Sequence, residues 1–396
     1  MLTVDEDDEE EVRENTEAGE YDLNPDEVWW RDRIQILNDH GYQLRPRLRP
    51  GWEPSWKDTN THPLMCEDAL IGFGSLDKTV DAVRVRDRKD VRILKTRRYS
   101  RERAIFEHLV DAQRSAKEDQ HIIQILDTFE DAREPDLVFM VMPLMIPAWS
   151  TRDFLGTIAD LLDMFQQILE GLSFIHSKNI AHRGHWLTIM LDAPSMFPRG
   201  FHPTDYTRDR SGVGLIKYIP RYKASGHVRY YFSDFEYSLR IERDPKRIVG
   251  LWYPGGSDAV APEWTDRVIY DPFPADVFVV GKVFKTIYLS YYKNVNFLLP
   301  FVEAMTAEKP EDRPTAADAL KQLQTIITSQ SYFSLRHRLV KRDSKSSWFV
   351  VLQNIVLQTI GILLEATFKP VKVAFRIASL TINAMRKLVD SKKKSD

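Results

Sequence analysis

Four short segments carry residues able to handle a phosphate-bearing ligand and its counter-ion. Ile71-Gly72-Phe73-Gly74 spaces two glycines one residue apart, and backbone N–H groups without neighbouring side chains can approach phosphate oxygens. Val91-Arg92-Ile93-Leu94-Lys95 reads as a strand ending in an ammonium, and seven residues on Glu102 opens a helical pattern with Phe106 and Leu109. Asp234, inside Tyr231-Phe232-Ser233-Asp234-Phe235-Glu236, offers a carboxylate that can hold a hard metal ion. Fifty residues before it, His182-Arg183-Gly184 supplies an imidazole and a guanidinium but no carboxylate. Taken singly each segment is weak evidence: Gly-x-Gly is usually a tight turn, and a Lys and a Glu at this spacing are usually surface residues. Their order along the chain carries the argument.

Several patterned stretches could position these groups. His121-Ile122-Ile123-Gln124-Ile125-Leu126-Asp127 leads into the apolar run Leu137-Val138-Phe139-Met140-Val141-Met142-Pro143-Leu144, where Pro143 keeps a carbonyl acceptor but has no N–H. Leu161, Phe165, Ile168, Leu172 and Ile175 recur at helical spacing and predict a buried helix ahead of residue 182. Between Gly184 and Asp234 an insertion carries Pro198-Arg199-Gly200-Phe201-His202-Pro203, and its Arg, Tyr and Gly content predicts an enlarged hairpin with an exposed loop. Ala261-Pro262-Glu263, Asp276-Val277-Phe278-Val279-Val280-Gly281 and Asp312-Arg313-Pro314-Thr315 follow in turn, with no internal repeat.

In this order the segments resemble eukaryotic protein kinases over about residues 65–330. The strap around residues 44–56, Ile189-Met190-Leu191-Asp192 and the insertion look further like a group of divergent kinase-like proteins of basidiomycete fungi. The resemblance implies an α+β, bilobal protein-kinase fold spanning residues 61–330, β-rich in a small lobe to about residue 143 and mainly helical in the large lobe after it, with a helical C-terminal tail. It implies that Gly72 and Gly74 belong to a glycine loop and that Lys95 holds phosphates while paired with Glu102. Ile93 then stands against the adenine ring, which it crowds, and Met142 guards the back of the same pocket. Asp234 holds Mg²⁺, and Phe235 stacks with His182, Phe106 and Ile125. Glu263 and Arg313 form a buried structural pair, and Asp276 lies in the buried helix between them.

The chain departs from the kinase pattern where the chemistry is most demanding. A kinase catalytic loop has Asp at its third position to take the substrate hydroxyl proton, and Asn five residues later to hold a metal ion. Here those positions are Gly184 and Ile189, or Thr188 if one residue is deleted. Asp77 replaces the third glycine of the loop, and Glu236 replaces the glycine after Phe235. The expectation is a pseudokinase: a scaffold or regulator that binds ATP weakly and transfers little or no phosphate to protein. One alternative is an active divergent serine/threonine kinase that recruits His185 or Asp192 as base. Another is a membrane-tethered interaction protein with a relict pocket.

Composition sets the surroundings. The 396 residues include 43% hydrophobic positions, enough for a two-lobed core, and the lone Cys66 rules out an internal disulfide and favours a reducing compartment. No basic-plus-apolar signal segment opens the sequence, so the expectation is an intracellular, cytoplasmic protein whose tail can associate with a membrane. From residue 5 to residue 27 there are thirteen acids and one base, predicting a solvated, disordered segment over residues 1–23. Asn24 as cap, Pro25 at the first helical position and Gly41 as terminator predict one short helix, and a Pro-rich strap follows to residue 60. Residues 331–396 read as a basic linker and an amphipathic tail. Its apolar run over 348–364 has seventeen positions, short of the roughly 20 that cross a bilayer core. Lys372, Arg376, Arg386 and the terminal lysines suit an anionic membrane surface or a partner groove, with back-packing on the body as the alternative. The body shows no basic stripe for nucleic acid.

Overall fold

The computed structural model of the protein describes residues 6–59, 61–71, 77–116, 119–184, 188–241, 248–249, 261–262 and 269–343, together with Val356 and Thr359. The chain opens with three helices, α1 (Glu6–Glu17), α2 (Pro25–Arg31) and α3 (Ile34–Asp39), then strand β1 (Tyr42–Leu44). Next come β2 (Thr79–Arg84), β3 (Lys89–Arg97), α4 (Arg101–Arg114), β4 (Asp127–Glu130) and β5 (Leu137–Pro143). After them follow β6 (Ile146–Pro147), α5 (Ile158–Ser177), β7 (Ile180–Ala181), β8 (Ile189–Asp192), β9 (Arg229–Phe232) and β10 (Leu239–Arg240). The last part has β11 (Ile248–Val249), β12 (Ile269–Tyr270), α6 (Pro272–Val283), α7 (Leu299–Met305), α8 (Ala316–Ser329) and α9 (Tyr332–Arg336). The fold is therefore α+β.

A five-stranded antiparallel sheet in the order β1-β2-β3-β5-β4 occupies the first half. Its central strand β5 is buried on both faces, and the period-two alternation decides which side chain goes where. On β5, Leu137, Phe139 and Val141 join Trp30, Leu37, Leu44, Val91 and Ile93 in a cluster on the outer face. Val138, Met140 and Met142 point the other way, into the main core with Leu94, Phe106 and Leu109. That main core continues through α5, where a capping box of Thr157 and Asp160 starts a 20-residue helix carrying Leu161, Phe165, Ile168, Leu172 and Ile175. Ser100 caps α4 and Asp271 caps α6, so each of these helices begins at a side-chain acceptor.

The N-terminal segments differ from expectation. The acidic stretch is helical rather than disordered, though most of its described acidic side chains stay exposed: Trp56 Nε1 donates to Thr16 Oγ1 at 3.0 Å while the Tyr21 ring meets Trp56 edge-on. Aromatic anchoring offsets the charge repulsion that argued for disorder. The single helix expected over residues 24–41 is split into α2 and α3, although Asn24 and Glu27 form the capping box and Trp30 and Leu37 are fully buried. The strap then supplies β1, which pairs with β2 through Tyr42↔Arg84 and Leu44↔Ala82. A boundary at residue 61 therefore cuts through the sheet. Arg47 and Glu27 lock this cover in place: Nε to Oε1 is 2.6 Å and Nη2 to Oε2 is 3.0 Å, both side chains fully buried. Arg47 also donates to the carbonyls of Asp68, Tyr21 and Asp22.

Residues 331–343 are docked rather than linking. The Ile158 N–H donates to His337 O at 2.9 Å, Leu339 N–H to Gly156 O at 3.0 Å, and the Arg342 guanidinium reaches Leu289 O and Asn296 Oδ1. Beyond them, the amphipathic tail and its basic residues lie outside the described residues. Among the described residues no helix is long and apolar enough to cross a membrane.

Candidate functional site

A cleft of about 540 Å³ opens between the inner face of the five-stranded sheet and the segments that follow α5. Lys78, Leu94 and Met142 line it from the sheet and Glu102 and Phe106 from α4, while Met190, Ser233, Asp234, Phe235 and Glu236 line it from the opposite wall. Trp149 and Tyr206 stand at its border.

The opposite wall is organised by one buried carboxylate. Asp276, 4% exposed on α6, accepts the backbone N–H groups of His182 and Arg183, each at 2.7 Å, and His176 Nε2 at 3.0 Å. Ser238 Oγ donates to His182 O at 2.8 Å, and β7 pairs with β10 through Ala181↔Leu239, so residues 180–183 are tied to the stretch after Asp234. Arg183 is held with φ of +53° and Asp234 with φ of +58°, a region that favours glycine. Two such residues at one site mark a backbone that its surroundings over-determine. The Arg183 guanidinium donates to Tyr270 Oη at 3.0 Å and to Tyr237 O at 3.3 Å.

Phe235 is buried between rings. Its centroid lies 5.1 Å from that of Phe106 and 5.3 Å from that of His182, with Ile123, not Ile125, completing the cleft wall nearby. His182 Nδ1 accepts the Gly184 N–H at 3.0 Å, which leaves Nε2–H to donate to Ser233 O at 3.1 Å. Burial, working against the fields of Asp276 and Asp234, holds His182 below its ordinary value of 6.5. The ring is therefore neutral in the native state at neutral pH. Because the unfolded chain takes up the proton first, this residue's share of stability is full above about 6.5 and falls as pH drops toward the lower native value. The stability difference between wild type and His182→Phe, measured by urea unfolding, should change as pH falls below 6.5; a difference independent of pH contradicts this assignment.

Gly184 and Ile189 bring no charged group to the cleft. An added Cβ at Gly184 would fall 2.1 Å from His182 Cε1 and 2.3 Å from its Nδ1. Ile189 is a core residue at the start of β8, paired with Phe232 and 4% exposed. The Thr188 carbonyl accepts both the N–H and Oγ–H of Ser233, at 3.0 and 2.8 Å. Asp192, at the far end of β8, faces His227 Nε2 at 3.2 Å.

The structure overturns the expected Lys95–Glu102 pair. Ile93 and Lys95 share the outer face of β3, and Lys95 Nζ sits 3.8 Å above the Trp29 ring instead of in the cleft. Burial lowers the Lys95 ammonium from its ordinary value. Lys95 and Glu102 still border one groove at the sheet edge, with Asp77, Lys78 and Glu236 in its wall. The cleft-facing residues of β3 are Arg92 and Leu94, so Leu94 rather than Ile93 meets whatever occupies the apolar end. Thr96 Oγ1 donates to Glu102 Oε2 at 3.1 Å. The cleft's ammonium comes from Lys78, which pairs with Glu236. Burial opposes the Lys78 charge, but the Glu236 hydrogen bond and the fields of Glu236, Glu102 and Asp234 outweigh it and raise its pKa. Burial likewise raises Glu102, with Lys78 opposing and Asp234 adding to the rise. The signal for this arrangement was the alternation of β3 itself, once Ile93 is assigned to the face covered by Trp30.

Gly72, Gly74, His185 and Glu263 lie outside the described residues. Arg313 donates to the carbonyls of Ala307, Pro274 and Glu308 and lies 4.6 Å over the Phe278 ring. No group of three or more His, Cys, Asp or Glu suited to a metal ion occurs among the described residues.

The insertion is buried at its base and exposed further on, where Val213, Leu215 and Tyr218 face solvent. Met196, Phe197 and His202 are buried, and one bridge, Arg208↔Leu215, closes its hairpin. Its tip reaches back to the sheet: Arg92 Nη2 donates to Pro203 O at 2.9 Å, Arg210 pairs with Asp90 at 2.7 Å, and His202 Nε2 meets Glu67 at 3.1 Å. Compared with known proteins, the chain matches no family model and none of the curated proteins.

Proposed function

We propose that the chain is a protein kinase-like domain of bilobal type that has given up phosphoryl transfer and acts as a scaffold or regulator. One observation carries the reading. The segment His182-Arg183-Gly184 is pinned by Asp276 beside Asp234 and Phe235, the position where a kinase would present its base, yet Gly184 and Ile189 supply no oxygen ligand or proton acceptor. On this reading the sheet and α4 form the small lobe, Pro143 begins the connector, and α5 to α8 form the large lobe. ATP would enter the cleft weakly, with Asp234 as the residue to hold Mg²⁺, which would neutralise phosphate charge.

Each half of the missing machinery matters. A general base contributes a factor of about 10² to 10⁴, and a metal ligand stabilises charge in the same transition state. Incubating the full chain with radiolabelled ATP, Mg²⁺ and generic protein substrates should give label at the level of the no-enzyme control. Transfer well above that level, abolished by Asp234→Ala, establishes the active divergent kinase instead and directs the search for a base to His185 or Asp192.

A further inference from the structure

We infer that Lys78, held in reserve by Glu236, is the residue that takes the phosphates of a nucleoside triphosphate in this cleft. The inference deepens the kinase-like reading by naming the phosphate ligand of its cleft, and it rests on geometry that the resemblance does not contain. The β3 lysine expected to do this is committed elsewhere, 3.8 Å over Trp29 on the other face of the sheet. Lys78 stands just before β2, its side chain 37% exposed, and lines the same cleft as Leu94, Met142 and Asp234. An ammonium is a compact point charge able to reach phosphate oxygens by rotating a flexible stem. Here it lies opposite Asp234 and beside the apolar end formed by Leu94 and Met142, where a base would be sandwiched.

The ion pair with Glu236 makes this site self-plugged. Glu236, its side chain 36% exposed, stands in the cleft wall and holds the ammonium through a direct contact. Asp77, Glu102 and Asp234 surround the pair with further negative charge, so phosphate must compete for Lys78 against a resident carboxylate. Removing that carboxylate's charge frees the ammonium and removes repulsion at once. Removing the ammonium leaves Arg92 as the cleft's other cation, and its guanidinium is engaged with Pro203 O of the insertion.

Equilibrium dialysis of radiolabelled ATP against the full chain without Mg²⁺ tests this, with adenosine and inorganic triphosphate as competitors. Lys78→Ala should weaken ATP retention by at least about tenfold, Lys78→Arg should keep most of it, and Lys95→Ala should leave it within about twofold. Glu236→Gln should tighten binding by about two- to fivefold, the scale of a partly exposed ion pair. Inorganic triphosphate should compete with ATP in wild type and lose that ability in Lys78→Ala, while competition by adenosine persists. The inference is overturned if Lys95→Ala weakens binding and Lys78→Ala does not, if Glu236→Gln weakens it, or if wild type retains no ATP at millimolar concentration. None of these outcomes registers phosphoryl transfer, so failure here and failure of the non-catalytic reading are separate results.

Discussion

Gly184→Asp will not switch on phosphoryl transfer, and it will lower the melting temperature. The substitution restores the residue type that a kinase uses as its base, so on pattern alone it should recover a factor of about 10² to 10⁴. Two features of the fold stand against that. The new Cβ would lie 2.1 Å from His182 Cε1, and His182 cannot swing aside, because it is 3% exposed, packed on Phe232 and Phe235 and bonded to Ser233 O. Forcing an extra group into such a place typically costs about 1–3 kcal/mol. The position where a kinase carries its metal-binding Asn also gains no carboxamide, since Ile189 is a β8 core residue and Thr188 offers only a hydroxyl. Radiolabel transfer and thermal unfolding, measured on wild type and Gly184→Asp together, check both halves. A variant that labels substrate above wild type with unchanged stability would show that His182 yields and that one carboxylate suffices.

The second large effect is expected far from the cleft. Arg47→Met should cost about 3–5 kcal/mol of unfolding free energy, because it leaves the Glu27 carboxylate buried without its partner. Total stabilities are only about 5–15 kcal/mol, so the variant should fold but melt much earlier. Arg47→Met combined with Glu27→Leu should recover part of the loss. Recovery stays incomplete because the carbonyls of Asp68, Tyr21 and Asp22 lose their donor, and Asn24 loses its reciprocal cap. Urea unfolding of the two singles and the double forms the cycle. A single-variant cost below about 1 kcal/mol, the usual value of an exposed pair, would refute the buried-lock assignment.

What could be anticipated from sequence was whatever rests on residues close together in one motif. The exception is the ring contacts of Phe235 with His182 and Phe106, which join distant segments and rest on the resemblance to kinases rather than on local pattern. The buried helix α5 was visible in five apolar residues at helical spacing. The direction of Lys95 was not visible, because β3 offers apolar residues to both faces: Val91 and Ile93 to one, Leu94 to the other. Only the docking of Trp30, Leu37 and Leu44 on one face decides which is outer, and that is a long-range fact. For the same reason Lys78 escaped notice, since nothing local says that the residue just before β2 turns inward. The helical state of α1 depends on Trp56 meeting Thr16, forty residues apart, and net charge alone argued the other way.

The contacts of the insertion bear on how anything gets in and out. A cleft between two walls joined by one connector can breathe about that connector, as a book opens on its spine. The insertion adds a fastening beside that spine: Pro203, Arg210 and His202 hold Arg92, Asp90 and Glu67, and Asp90 O also accepts the Leu144 N–H where the connector begins. Any swing of the walls must strain or release these three polar contacts as well, so the insertion acts as a splint along the hinge.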